Sequence, residues 1–305
     1  MKALRQVART VRAFGRELAR GSGLGGQQTP ALGLALGGGF ARGIAHIGVL
    51  KVLEEAQIPV CFVAGTSVGA LIGAAYCGGL SVAELEEIAF QVRSHHIARW
   101  TLSRFGLASN QRMAVFLHRI LKKKSFDDLK IPLAVTATDF GTGEGVSFRS
   151  GPLIDAVRAS CAYPGMFLPV EVDGRLLVDG MLAYPVPSVP VRKMGARRVL
   201  AINLKGGLNG TGPRHVFDVI GQSFSIALER SAGVWRGASD LVVEPDVKGF
   251  AYDDFERATD LIRAGEVAMR QALPQVQSWF GTERSARRTQ TLPGVVGVVP
   301  EPKAS

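Results

Sequence analysis

The chain has 305 residues, 47% of them hydrophobic and 20% charged, which excludes a coiled coil or a chain too polar to fold around a core. The formal net charge is +10, and residues 1–20 supply half of it through Lys2, Arg5, Arg9, Arg12, Arg16 and Arg20 against Glu17. Cys61, Cys77 and Cys161 are too few and too unevenly spaced for a disulfide framework, so a reducing compartment and no thiolate metal site are expected.

In chain order, the first element is helical. Leu4, Val7, Val11, Phe14 and Leu18 fall on one side of a helix turning about 100° per residue, with Arg5, Arg9, Arg12, Arg16 and Arg20 opposite. Residues 1–20 therefore read as a basic amphipathic helix. It either lies on an anionic membrane surface or docks on its own domain or a partner. The uninterrupted apolar stretch of a secretory signal is missing, and no run approaches the length of a spanning helix. A cytoplasmic location is expected, with attachment at the inner face of the membrane as the peripheral variant. Residues 21–30, GSGLGGQQTP, form a flexible linker. The globular domain is expected over 31–280, followed by a disordered tail over 281–305.

Within that domain short apolar runs alternate with helical stretches. Strands are expected at 31–36, 60–64, 131–138, 146–148, 176–178, 199–203 and 241–243. Helices are expected at 42–56, 67–76, 85–92, 113–121, 216–236 and 255–272. The alternation predicts an α/β domain with both sheet faces covered.

Two strand–helix junctions carry chemistry. Gly65-Thr66-Ser67-Val68-Gly69 is a G-x-S-x-G nucleophile elbow between a strand and a helix. Small residues at Gly65 and Gly69 let the sharp turn close, and the following helix N-terminus favours an oxyanion near Ser67. Gly37-Gly38-Gly39-Phe40-Ala41-Arg42-Gly43 follows the first strand, and its glycines can bring bare N–H groups to a ligand. That loop suits a tetrahedral oxyanion or a phosphate, although the P-loop and dinucleotide spacings are absent. Arg42, at the start of the helix, supports the loop or lies on the surface.

Ser67 needs a base. His46 shares a helical face with Leu50 and Leu53 and reads as a core histidine, while His95-His96 reads as a cap or surface pair. None of the five histidines follows the last strand, where a Ser…Asp…His order would place one. A carboxylate is the alternative. Asp179, between the apolar strand and Gly180, is the first candidate, and Asp139, also at a strand end, is its rival.

GGGFARG, GTSVG, the segment from Ala159-Ser160 through Tyr163-Pro164-Gly165 to Phe167-Leu168-Pro169, and Asp179-Gly180 together resemble the patatin-like phospholipase family. The resemblance spans roughly residues 32–243. It implies a three-layer α/β fold with a central, mostly parallel sheet covered by helices on both faces. It also implies a lipid acyl hydrolase in which Ser67 is the nucleophile and Asp179 the base, without a catalytic histidine. Gly37, Gly38 and Gly39 would form the oxyanion hole, supported by Arg42, Gly65, Gly69 and Gly180. The substrate would be a lipid ester, with no cofactor and no metal. Met181 departs from the Gly or Ala usual after Asp-Gly in the family, which bears on specificity. A thioesterase, a general carboxylesterase or a non-catalytic lipid-binding protein of the same fold are the alternatives. Residues 93–112 mix Arg, His, Trp and Phe, as a lipid-contacting flap or a solvated connection would. No motif there indicates a nucleic-acid partner. Oligomeric state has no signature in the sequence.

Overall fold

The computed structural model describes residues 31–93, 99–103, 106–109, 111–205 and 216–280. Residues 1–20, the 21–30 linker, the 281–305 tail and His95-His96, for which the sequence gives expectations, lie outside these residues. One compact unit covers Pro30–Trp279. In chain order it contains β1 (Leu32–Leu36), α1 (Ala45–Glu55), β2 (Val60–Thr66), α2 (Val68–Cys77), α3 (Val82–Gln91), β3 (Arg99–Ser103), β4 (Gly106–Ser109) and α4 (Gln111–Ile120). Then follow β5 (Leu133–Asp139), β6 (Gly145–Phe148), α5 (Leu153–Ser160), β7 (Val170–Val172), β8 (Arg175–Asp179), α6 (Ser188–Lys193) and β9 (Arg198–Ile202). The last elements are α7 (Val216–Arg230), α8 (Gly233–Gly237), β10 (Leu241–Val243) and α9 (Ala258–Ser278).

The main sheet runs β10-β9-β1-β2-β5-β8-β7, with β6 also on β5, and β3–β4 form a separate hairpin. From β10 to β5 every pairing is parallel, whereas β6, β7 and β8 pair antiparallel. The expected mostly parallel, doubly covered sheet is present.

Strand periodicity sorts the two faces by size. Ala35, Ala64, Ala134 and Ala201 share one face with Val191 and Trp235, packing under α6 and α8. Small residues are required there because α6 and its exit lie close: a Cβ on Gly33 would stand 2.5 Å from Ala196 Cβ and 2.7 Å from Val191. The opposite face carries larger side chains. Leu36, Val63 and Leu133 surround Gly73 of α2, and Leu32, Leu34 and Leu36 are wholly buried. On that side α1 and α9 cross in close contact.

Some boundaries differ from the sequence reading. The first helix begins as a 3₁₀ turn, Phe40–Ile44, because Phe40 at φ 53° enters from the left-handed region. α3 starts three residues early because Ser81 and Glu84 form a reciprocal capping box. The single helix expected at 216–236 breaks between α7 and α8, where the Ser231 hydroxyl donates to the Leu228 carbonyl at 3.0 Å. α9 continues through Pro274 to Ser278. α5, α6 and β7 are too short to show a clear period in the sequence.

Candidate active site

The site follows from how β5 is paired. β6 bonds to Val135–Thr138, a span that overlaps both β2 and β8, so β2 and β8 must share the other edge. Along that edge β2 runs parallel and ends with Thr66 opposite Thr136, while β8 runs antiparallel and ends with Asp179 opposite Ala137. Two strand ends therefore meet head to head. The residue leaving β2, Ser67, faces the last residue of β8.

Ser67 Oγ donates to Asp179 Oδ2 at 2.7 Å, and both residues are buried. Ser67 has φ 54° and ψ −124°, a strained conformation for a residue with a Cβ. The strain is held from several sides. Ser67 N–H donates to Ser160 Oγ at 2.8 Å. Thr66 Oγ1 donates to the Tyr184 carbonyl at 2.7 Å and meets Thr136 Oγ1 at 2.7 Å. A Cβ on Gly65 would stand 2.5 Å from Ala70 Cα, and one on Gly69 would overlap the Leu36 carbonyl, so both must be glycine for the elbow to close.

Asp179 is fixed at every polar atom. Its N–H donates to the Ala162 carbonyl at 2.9 Å, and its carbonyl accepts from Thr138 Oγ1 at 2.9 Å. Its second carboxylate oxygen accepts the Met181 N–H at 2.9 Å. A Cβ on Gly180 would overlap the Thr136 carbonyl, so this turn also admits only glycine. Burial pushes the Asp179 carboxyl up to about 7, against the lowering effect of the Ser67 and Met181 hydrogen bonds. Asp139, the rival carboxylate, caps a turn instead: Oδ1 accepts from Gly141 and Thr142 N–H, and Oδ2 accepts from Arg175 Nε at 2.7 Å.

The glycine loop lies over Ser67; a Cβ on Gly38 would stand 3.5 Å from Ser67 Cβ. Its amides are not equivalent. Gly37 N–H donates to the Ile202 carbonyl at 3.1 Å and Gly38 N–H to the Pro185 carbonyl at 3.2 Å. Among the described residues Gly39 N–H has no backbone carbonyl partner. His46, wholly buried, holds the loop from below: Nε2–H donates to the Gly37 carbonyl at 2.9 Å, while Nδ1 has no partner among the described residues. Burial lowers the imidazole to about 4, so it is neutral at ordinary pH. Arg42 ties the 3₁₀ turn to a distant loop through Nε–H to the Phe250 carbonyl at 2.9 Å, beside Ala41 N–H to Tyr252 O at 3.0 Å. Burial lowers its guanidinium below the usual arginine value, and Asp254 opposes that shift.

Cys161 is buried, and its thiol is pushed up mainly by burial, with Asp179 adding. The Tyr163 ring packs edge-on against Phe40 at 4.8 Å and Phe224 at 5.9 Å, near Asp179. A cavity of about 390 Å³ opens next to Gly38 and Met181. Among the described residues no cluster of His, Cys, Asp and Glu is arranged to hold a metal ion. The supporting hydroxyls of Thr66, Thr136, Thr138 and Ser160 were not assigned roles from sequence. Threonine is common in strands for its shape alone, and of the four only Thr66 and Ser160 lie within quoted motifs.

A mostly parallel sheet covered by helices on both faces, with a strained strand–helix elbow at one strand end, defines a three-layer α/β protein of the patatin-like fold. VipD from Legionella pneumophila shares that fold, with a TM-score of 0.50 and 14% identity over 81% of this chain and 67% of that one. The profile of the patatin-like phospholipase family matches residues 34–190, and the chain belongs to that family. An uncharacterized NTE family protein of Mycobacterium tuberculosis is 37% identical over 191 residues, covering 61% of this chain and 52% of the relative. Lysophospholipase NTE1 of Mycosarcoma maydis is 30% identical over 230 residues, covering 72% of this chain and 12% of the relative. Human patatin-like phospholipase domain-containing protein 6 is 34% identical over 181 residues, covering 57% of this chain and 13% of the relative. The chain thus matches about half the length of the mycobacterial relative and a small part of the other two.

Proposed function

We propose that the chain is a lipid acyl ester hydrolase, of phospholipase A or lysophospholipase type, working through a Ser67–Asp179 dyad. The observation that carries this reading is the 2.7 Å bond from Ser67 Oγ to Asp179 Oδ2 in a buried, strained elbow under a glycine loop. Family membership and a relative named as a lysophospholipase support the substrate class.

Ser67 Oγ attacks the ester carbonyl carbon while its proton passes to Asp179 Oδ2. The carbonyl oxygen becomes an oxyanion against the glycine loop. Gly39 offers its N–H there, while Gly37 and Gly38 fix the loop's path. The tetrahedral intermediate collapses, the ester C–O bond breaks, and the leaving alcohol takes the proton from Asp179. Water then attacks the acyl-enzyme and gives its proton to Asp179. Collapse returns that proton to Ser67 Oγ and releases the fatty acid. A carboxyl held at about 7 by burial accepts a proton more readily than an exposed aspartate near neutrality. Every proton and leaving group is accounted for without a metal, so hydrolysis should persist in excess chelator.

The test is hydrolysis of an ester series from short to long acyl chains by wild type and Ser67→Ala. Ser67→Ala should lower kcat/KM by about three orders of magnitude or more while unfolding normally. A variant that keeps most of the activity moves the nucleophile elsewhere. A profile rising with chain length supports lipid, whereas a preference for short esters or thioesters points to the alternative hydrolases. Residues 1–20 would add attachment to an anionic membrane. Among the described residues no helix is long and apolar enough to cross one.

A further inference from the structure

α7 is packed unlike the other long helices. From Val219 to Arg230 none of its side chains is fully buried, whereas α1, α2 and α9 each bury six or more, α3 three and α4 two. Its holding contacts are sparse. Phe224 meets the Tyr163 ring edge-on at 5.9 Å, and Glu229 pairs with Lys205 at 2.9 Å. Yet α7 walls the cavity beside the dyad, where Gln222, Ser225 and Leu228 join Gly38 and Met181.

The outward side of the same helix is apolar. Val219 is 49% exposed and Ile226, two turns further on, 51%, while Val234 on α8 is 74% exposed. Three of the eight large hydrophobics exposed among the described residues thus fall within residues 219–234. Arg230, one turn beyond Ile226, adds a cation, and both of these side chains also line the cavity, so the strip runs from Val219 to the cavity rim. A helix with exposed aliphatic side chains and a cation that lead to the mouth of a cavity has the composition of an interfacial surface.

We propose that the outer face of α7, with Val234, docks on an anionic lipid–water interface and delivers lipid from it to the cavity at Gly38 and Met181. The proposal rests on the lipid hydrolase reading for its choice of occupant. Long-chain lipids are scarce as monomers in water, so a hydrolase acting on them has to meet an aggregate. A second copy of the chain fits less well, since a stable dimer buries roughly 800 Å² per partner and this strip offers three aliphatic side chains.

The experiment uses the full chain and Val219→Ser/Val234→Ser, both positions outside the cavity lining. Flotation with vesicles of phosphatidylcholine and phosphatidylglycerol is run at high salt, where any contribution from the basic residues 1–20 is screened. The double variant should bind roughly tenfold more weakly or worse, since two aliphatic side chains no longer leave water. The ratio of its hydrolysis of vesicle lipid to that of a dissolved short-chain ester should fall by a similar factor. Unchanged flotation and an unchanged ratio overturn the proposal. Sedimentation that finds a wild-type dimer dissociated by the double substitution overturns it in favour of a second copy. If wild type hydrolyses neither substrate, the hydrolase reading fails, and flotation alone still decides the docking surface.

Discussion

In the proposed mechanism Asp179 joins catalysis to stability through one proton. Its carboxyl is held near 7 by burial, so the carboxylate form that accepts the Ser67 proton forms only as pH rises through that value. The kcat/KM profile for a dissolved ester should therefore climb between about pH 6 and 8 and lose this limb in Asp179→Asn, whose residual rate is far lower. Stability has the opposite sign. The folded state holds this proton more tightly than the unfolded chain, so the contribution is full below about 4 and declines as pH rises to about 7. The whole interval is worth on the order of 4 kcal/mol. Asn keeps the Met181 contact and carries no charge, so Asp179→Asn should match or exceed wild type in denaturant midpoint at pH 8, with the gap narrowing at pH 5. A gap that is independent of pH would mean that burial does not raise the Asp179 carboxyl above its value in the unfolded chain. His46 works one layer below: its Nε2–H holds the Gly37 carbonyl while Pro185 holds the Gly38 N–H, so one peptide plane is clamped at both ends. His46→Phe should lower kcat about tenfold with little change in KM, because a loosened loop misplaces the oxyanion donor. His46→Gln, which keeps an N–H donor, should recover part of the loss. A kcat that is unchanged in His46→Phe would show that Pro185 and Ile202 fix the loop by themselves.

At the scale of elements, the elbow is legible in the sequence, whereas its partner is narrowed to Asp179 ahead of Asp139. Gly65, Ser67 and Gly69 announce a tight strand–helix turn because the steric demand is local: five consecutive residues contain it. Asp179 and Asp139 look alike in sequence, each ending an apolar strand. What separates them is the edge of β5 on which β8 reverses direction to meet β2, an arrangement that brings Ser67 and Asp179 together across 112 positions of the chain. No local pattern encodes that: the strand end and Gly180 put Asp179 first among the carboxylates with Asp139 as its rival, and the family resemblance names it as the base. The capping box at Ser81 and Glu84 was present in the sequence and passed over in favour of the apolar periodicity that begins later. The α1–α9 crossing was also hidden, because a helix glycine looks like a weakness until its neighbour is known. A Cβ on Gly48 would overlap the Ile262 carbonyl, and one on Gly265 the Ala45 carbonyl. Alanine gains about 1 kcal/mol in helix propensity, but separating two backbones loses more, so Gly48→Ala should destabilise by about 1–3 kcal/mol. Gly221 on α7 has only the Tyr163 hydroxyl, 3.7 Å from a Cβ built there, so Gly221→Ala should be neutral or stabilising. Denaturant unfolding of the two variants side by side checks the contrast. Equal effects would show that propensity, rather than close approach, sets the role of Gly48.

For the whole molecule, charge and apolar surface predict two separable modes of lipid attachment. Half of the net charge of +10 lies in residues 1–20, and the remainder is spread over the rest of the chain. Each basic residue at an anionic membrane surface contributes about 1 kcal/mol at low ionic strength, and that contribution decays within a Debye length of about 8 Å at physiological salt. Burial of Val219 and Val234 depends on apolar area and is insensitive to salt. Deleting residues 1–20 should therefore weaken binding to phosphatidylglycerol-containing vesicles by about tenfold or more at low salt, with the difference closing as salt rises. Val219→Ser/Val234→Ser should show a loss that persists across the same range. Flotation of wild type, the deletion and the double variant along one salt series measures both. If the deletion binds as wild type does at low salt, residues 1–20 serve a protein contact rather than the membrane. If both losses vanish together at high salt, the α7 face acts through Arg230 and not through its aliphatic side chains.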